Sequence, residues 1–102
     1  MQRITMVRYT TKPDHADENE KLARSVFAQL RSSRPDGLAY GLFRDGNEFI
    51  HLFVNLKEDA AAPLTELSTF KAFSEGISER CEVQPNPTRL AVQLVESYGF
   101  RT

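Results

Sequence analysis

His51 is the residue at which chemistry is most readily placed in this chain. It stands between Ile50 and Leu52 in the apolar run Phe49–Leu56, FIHLFVNL. A histidine titrates near neutral pH, so in an apolar setting it can orient a phenol or quinone, or carry a proton. Counting back through Asp45-Gly46 as a tight turn puts Tyr40 opposite it. The plainer reading is a partly buried histidine hydrogen-bonded to backbone or to Tyr40, because a catalytic assignment needs further partners. Phe70 and Phe73 recur at helical spacing and can face the same cavity as Phe49 and Phe53. That spacing also suits an ordinary core. Arg8, Tyr9, Tyr40 and Tyr98 are candidates for a pocket wall or a subunit interface, since tyrosine suits places with one dry end and one wet end. Asn55, near a strand end, can donate to a carbonyl or serve a turn.

Other constellations carry less. Asp14, His15, Asp17 and Glu18 have side chains able to bind metal, and His15 and Glu18 are spaced to share a helix face. The acids are equally explained by the positive end of a helix dipole, and no metal is expected. Cys81 falls on an apolar stripe and reads as a small buried residue, not a nucleophile. It is the only cysteine, so no internal disulfide can form. There is no Gly-rich phosphate loop and no pointer to a Ser/His/Asp triad.

The elements that must position these residues follow from turn signals and periodicity. Asp45-Gly46 folds Leu38–Leu56 into a hairpin. With those two as turn residues, Leu42 faces Phe49, Tyr40 faces His51 and Leu38 faces Phe53. One hairpin face is then Leu38, Tyr40, Leu42, Phe49, His51 and Phe53. The other is Ala39, Gly41, Phe43, Glu48, Ile50, Leu52 and Val54. Both are largely apolar, so both need a cover. Arg3–Lys12 reads as a first strand that Pro13 ends. A helix capped by Asp14 or Asp17 follows, with Leu22, Ala23, Val26, Phe27 and Leu30 as its stripe. Pro35-Asp36-Gly37 stops it. Pro63 or Thr65 marks the approach to a second helix, striped by Leu67, Phe70, Phe73, Ile77 and Cys81. Gly76 marks a close contact or a weak point in that helix. Pro85-Asn86-Pro87 ends it, and Arg89–Tyr98 is the last strand.

The order β-α-β-β-α-β predicts a ferredoxin-like α+β fold, a four-stranded antiparallel sheet with two helices on one face. The uncovered apolar face predicts a homodimer, sheet against sheet. The 102 residues, 40% apolar and 26% charged with net charge −1, fit one soluble domain over residues 1–102. No basic stripe points to nucleic acid and no run is long enough to span a bilayer. A strand-like start argues against a cleaved signal peptide, and the cytoplasm is the expected compartment.

The segments Val7–Asp14 (VRYTTKPD), Glu18–Leu30, Phe49–Leu56 and Leu67–Ile77 together resemble the dimeric α+β barrel superfamily, in particular the antibiotic biosynthesis monooxygenase-like proteins. The resemblance covers nearly the whole chain and rests on topology and composition. It implies a homodimer with a pocket between helices and sheet in each subunit. Some members oxidise polycyclic phenols with no metal or flavin, and others bind and degrade haem. Two features common in the oxygenases are missing: the chain has no tryptophan, and no histidine follows His51. By its other features the resemblance implies a monooxygenase-like protein that needs no cofactor and holds a small aromatic or apolar ligand. His51 is the best catalytic candidate, and Tyr40, Phe53, Phe70 and Phe73 are its companions in the pocket. The alternative is a non-enzymatic homodimer whose cavity its own phenylalanines fill. A haem binder would need an axial ligand, for which only His51 is available.

Overall fold

The computed structural model describes residues 2–56 and 64–99. Strand β1 (Gln2–Thr11) leads through a 3-10 turn, Pro13–His15, into helix α1 (Ala16–Ser33). The hairpin strands β2 (Leu38–Asp45) and β3 (Glu48–Asn55) follow. Helices α2 (Ser68–Glu75) and α3 (Ile77–Arg80) then deliver the chain to β4 (Cys81–Val92). The strands form one antiparallel sheet in the order β2-β3-β1-β4, with the helices on one face. This is the expected ferredoxin-like α+β arrangement.

Helix α1 presents Ala16, Asn19, Ala23 and Val26 to the core at three- and four-residue intervals. On the sheet they meet a face that includes Tyr9 and Phe49, both essentially buried. No side chain caps α1; Asp14 lies in the 3-10 turn and Asp17 in the first helical turn. Arg34 ends the helix in the left-handed conformation, φ 48°, its N–H donating to the Leu30 carbonyl at 2.8 Å. Gln29 Oε1 accepts from both the Thr69 N–H (3.1 Å) and its hydroxyl (2.5 Å), tying α1 to α2.

Three expectations are corrected. The hairpin turn is Gly46-Asn47, closed by the pair Asp45↔Glu48, so Leu42 faces His51 and Tyr40 faces Phe53. Gly46 takes φ 61° at the first turn position, as a type II′ turn requires, and Asn47 stays at negative φ. The slip amounts to two residues, one full pleat, so the two face lists survive although every opposed pair changes. Second, the second helix breaks at Gly76, and Cys81 opens β4 instead of closing the helical stripe. Third, the last strand is Cys81–Val92, not Arg89–Tyr98, and Pro85-Asn86-Pro87 lies inside it. β4 is an edge strand, where a missing N–H breaks no ladder on the outer side. Two residues, Gln84 and Pro85, stand opposite Tyr9 alone, a bulge that absorbs the irregularity. The suggestion of Pro63 as a helix start lies outside the described residues.

The face away from the helices carries Ile4, Met6, Leu52 and Val54 in its middle strands, with Phe43, Val83 and Leu90 more than half exposed around them. Among the described residues no helix is long and apolar enough to cross a membrane.

Candidate functional site

On the helix side of the sheet, a cavity of about 300 Å³ lies between β1, β3, β4 and α2. Alternation along β1 directs Arg3, Thr5, Val7 and Tyr9 toward it. The opposed residues of β3, Asn55, Phe53 and His51, continue its floor. Phe70, Phe73 and Ile77 supply the apolar roof. Arg89 and Pro85 of β4 form one side.

Behind the floor runs a buried chain of polar side chains. Arg80 Nε donates to Asn19 Oδ1 at 3.0 Å, and Asn19 Nδ2 donates to Tyr9 Oη at 2.9 Å. Tyr9 Oη lies 2.7 Å from His51 Nε2, and Tyr40 Oη lies 2.5 Å from His51 Nδ1. Arg80 can only donate, so it fixes the orientation of the Asn19 amide and leaves its NH₂ for Tyr9. His51 bridges two hydroxyls, accepting from one and donating to the other. If its proton is on Nδ1, Tyr9 donates inward and turns a lone pair toward the cavity. If the proton is on Nε2, Tyr9 accepts inward and has its own O–H to offer. Tyr9 therefore meets a ligand as acceptor or donor according to the His51 tautomer.

The electrostatics are those of a dry site. Burial pushes the His51 imidazole down from 6.5 to about 4, so it is neutral at pH 7. Burial also raises both phenols well above their ordinary value, for Tyr9 against a partly opposing hydrogen bond from Asn19. Arg80 is 5% exposed and has no carboxylate partner among the described residues. It is held instead by Asn19, by the Phe73 carbonyl (Nη2 to O 2.8 Å) and by the Phe73 ring, 5.0 Å below its guanidinium. Gly76 makes room for it: a Cβ there would stand 2.9 Å from Arg80 Nη1.

The residues singled out from sequence separate as follows. His51, Phe53, Phe70 and Phe73 line the cavity, which remains open between them. Tyr40 does not; it lies behind His51, stacked on Phe27 and Phe53 with ring centroids 4.4 and 4.3 Å apart. Tyr9 stands at the cavity wall where Tyr40 was expected. Asn55 lines the cavity at the end of β3. Arg8 points to the open face and pairs with Glu48 at 2.8 Å, and Tyr98 is fully exposed beyond β4. His15 pairs with Glu18 at 3.2 Å at the exposed helix start, and no three metal-binding side chains converge among the described residues. Cys81 is buried, and burial raises its thiol. Asn19 and Arg80 escaped sequence reasoning. Asn19 did leave a signal: it is a polar residue on the stripe Ala16, Ala23, Val26.

No family model matches the chain, and neither does any curated protein. Solved structures do. A candidate antibiotic biosynthesis monooxygenase from Nitrosomonas europaea superposes with TM-score 0.77 at 14% identity, over 94% of each chain. One from Caulobacter crescentus gives 0.75 at 21% identity, over 90% of this chain and 91% of that one. Another, from Bacteroides thetaiotaomicron, gives 0.78 at 13% identity, over 98% and 96%. What is shared at such identities is the backbone plan, and the chain has the ferredoxin-like α+β fold of the antibiotic biosynthesis monooxygenase-like structures.

Proposed function

We propose that this is a monooxygenase-like protein that holds a small aromatic or apolar ligand in the cavity between α2 and the sheet. The observation that carries the proposal is the buried Arg80–Asn19–Tyr9–His51–Tyr40 chain, which meets an open, largely apolar cavity at Tyr9 and His51. A ligand hydroxyl or carbonyl is oriented at Tyr9, with its rings between Phe53, Phe70 and Phe73. Oxidation without a cofactor has a definite balance: an activated ring CH₂ and one O₂ become C=O and H₂O, the substrate supplying both hydrogens. Its first need is loss of a proton from the substrate. The array can take that proton at Tyr9 and pass one to His51. His51 is a weak base in the empty site, but an anion forming on the ligand next to it favours the imidazolium. The buried Arg80 charge adds to that stabilisation.

A homodimer through the open sheet face belongs to the same reading. Its support is the exposure of Phe43, Val83 and Leu90 around an apolar centre.

A second reading, ligand binding without turnover, is favoured by one feature: both His51 nitrogens are already occupied by tyrosines. Oxygen uptake separates the two. With anthrone as substrate, the oxygenase reading expects O₂ consumption at one equivalent per quinone formed, reduced strongly in Tyr9→Phe and His51→Ala. Thermal stabilisation by anthrone with no oxygen consumed leaves the binding protein.

A further inference from the structure

The cavity is polarised along β1. Its inner end is Tyr9 and the relay. Its outer end, six residues and roughly 20 Å of extended chain away, is built from Arg3, Asn55 and Arg89. Arg3 lies directly opposite Asn55 on β3 and diagonal to Arg89 on β4, so the three side chains adjoin on one face across three strands. Asn55 is 6% exposed, yet its Oδ1 accepts no hydrogen bond from the described residues. Such an atom costs stability unless something outside the chain satisfies it. Arg3 and Arg89 have no ion pair among the described residues, in contrast to Arg8, Arg24 and Arg44. Among the described residues no acid lines the cavity, although the whole chain carries net charge −1.

We infer that the ligand of this cavity is an aromatic or polycyclic carboxylate, its anionic group held by Arg3 and Arg89 and a neighbouring O–H or N–H donated to Asn55 Oδ1. Two guanidinium groups on adjacent strands suit the planar, two-oxygen carboxylate, and the orphaned amide oxygen selects a donor beside it. The apolar span between the ends fixes the rest of the molecule as rings. The inference rests on the reading of the cavity as a small-molecule site and specifies which small molecules enter it.

The test is calorimetric titration of the wild type, Arg3→Gln and Arg89→Gln with 2-naphthoic acid and with its methyl ester. The two probes share the same rings and differ in charge. The acid is expected to bind roughly tenfold or more tightly than the ester. Either substitution should remove that preference while leaving the ester's affinity unchanged. Equal binding of acid and ester, or a preference that survives both substitutions, overturns the carboxylate assignment and leaves the aromatic cavity standing. Absence of binding by both probes overturns the carboxylate assignment and the small-molecule reading together. Both arginines are exposed and pair with nothing within the described chain, so the variants should keep the fold.

Discussion

Two depressions flank the buried core on the same sheet face, and they differ in how their charges are spent. The groove beside α1, about 340 Å³, is lined by Glu20, Arg24, Arg31, Leu42, Arg44 and the rings of Phe27 and Phe49. Arg44 there donates to Glu20 at 2.8 Å, Asp17 at 3.1 Å and the Gly46 carbonyl at 2.7 Å, with its guanidinium 5.3 Å above Phe49. Hydrogen bonds from Arg44 and then Arg24 hold the Glu20 carboxyl below its ordinary range. Glu20, Arg24 and Arg44 are paired with one another there, and Arg31 has no ion pair among the described residues. The cavity beneath α2 is of similar size, but at its outer end, among the described residues, two arginines have no carboxylate and an amide oxygen has no donor. Volume does not distinguish the two regions. Unfinished hydrogen bonding does, and a protein tolerates that cost most readily where a ligand repays it.

The contrast can be broken most forcefully at its root. Arg80→Leu strips the partner from Asn19 Oδ1 and from the Phe73 carbonyl, so urea denaturation should show a loss of about 3 kcal/mol. An unchanged midpoint would remove Arg80 from the relay and leave the inner end no more organised than the groove.

A pH series tests the same region without mutation. The folded-state pKa of His51 is depressed, so the unfolded chain binds more protons between about pH 6.5 and pH 4. Stability from this residue is complete above pH 6.5 and falls as the pH drops toward 4, by up to about 3 kcal/mol. The His51→Leu variant should lose that slope; if it keeps it, the slope belongs to other groups.

At the outer end the expected sign reverses. Asn55→Leu removes a buried, unpaired oxygen and should stabilise the free protein by about 1 kcal/mol while weakening ligand binding. A clear loss of stability would show that the amide is already satisfied.

The smallest effects compare the arginines themselves. Arg44→Gln should lower the thermal midpoint slightly at low salt and not at high salt, as an exposed pair does. Arg89→Gln should not lower it at either. A drop for Arg89→Gln would mean that both regions are structural.

The chain order, the hairpin and the two-faced apolar character of its strands were legible in the sequence because turn residues and side-chain periodicity are local properties. His51, Phe53, Phe70 and Phe73 were legible as wall candidates for the same reason. The division of labour between Tyr9 and Tyr40 was not, because the cavity lies over β1, β3 and β4 while Tyr40 stands on the far edge strand β2; the opposed pairs of the hairpin were not legible either. Gly46-Asn47 and Asp45-Gly46 are both acceptable turns locally, and the register closes at Asp45↔Glu48. Nor could the end of the second helix be read: Gly76 yields to the bulk of Arg80, a side chain that is buried only because Asn19 and Phe73 receive it. β4 through two prolines requires knowing that it lies at a sheet edge. Local patterning of residues sets which segments are strands and helices in outline and which residues are apolar enough to form walls. Which polar side chains find partners is set by packing, since a hydrogen bond between residues as far apart as Asn19 and Arg80 does not follow from spacing.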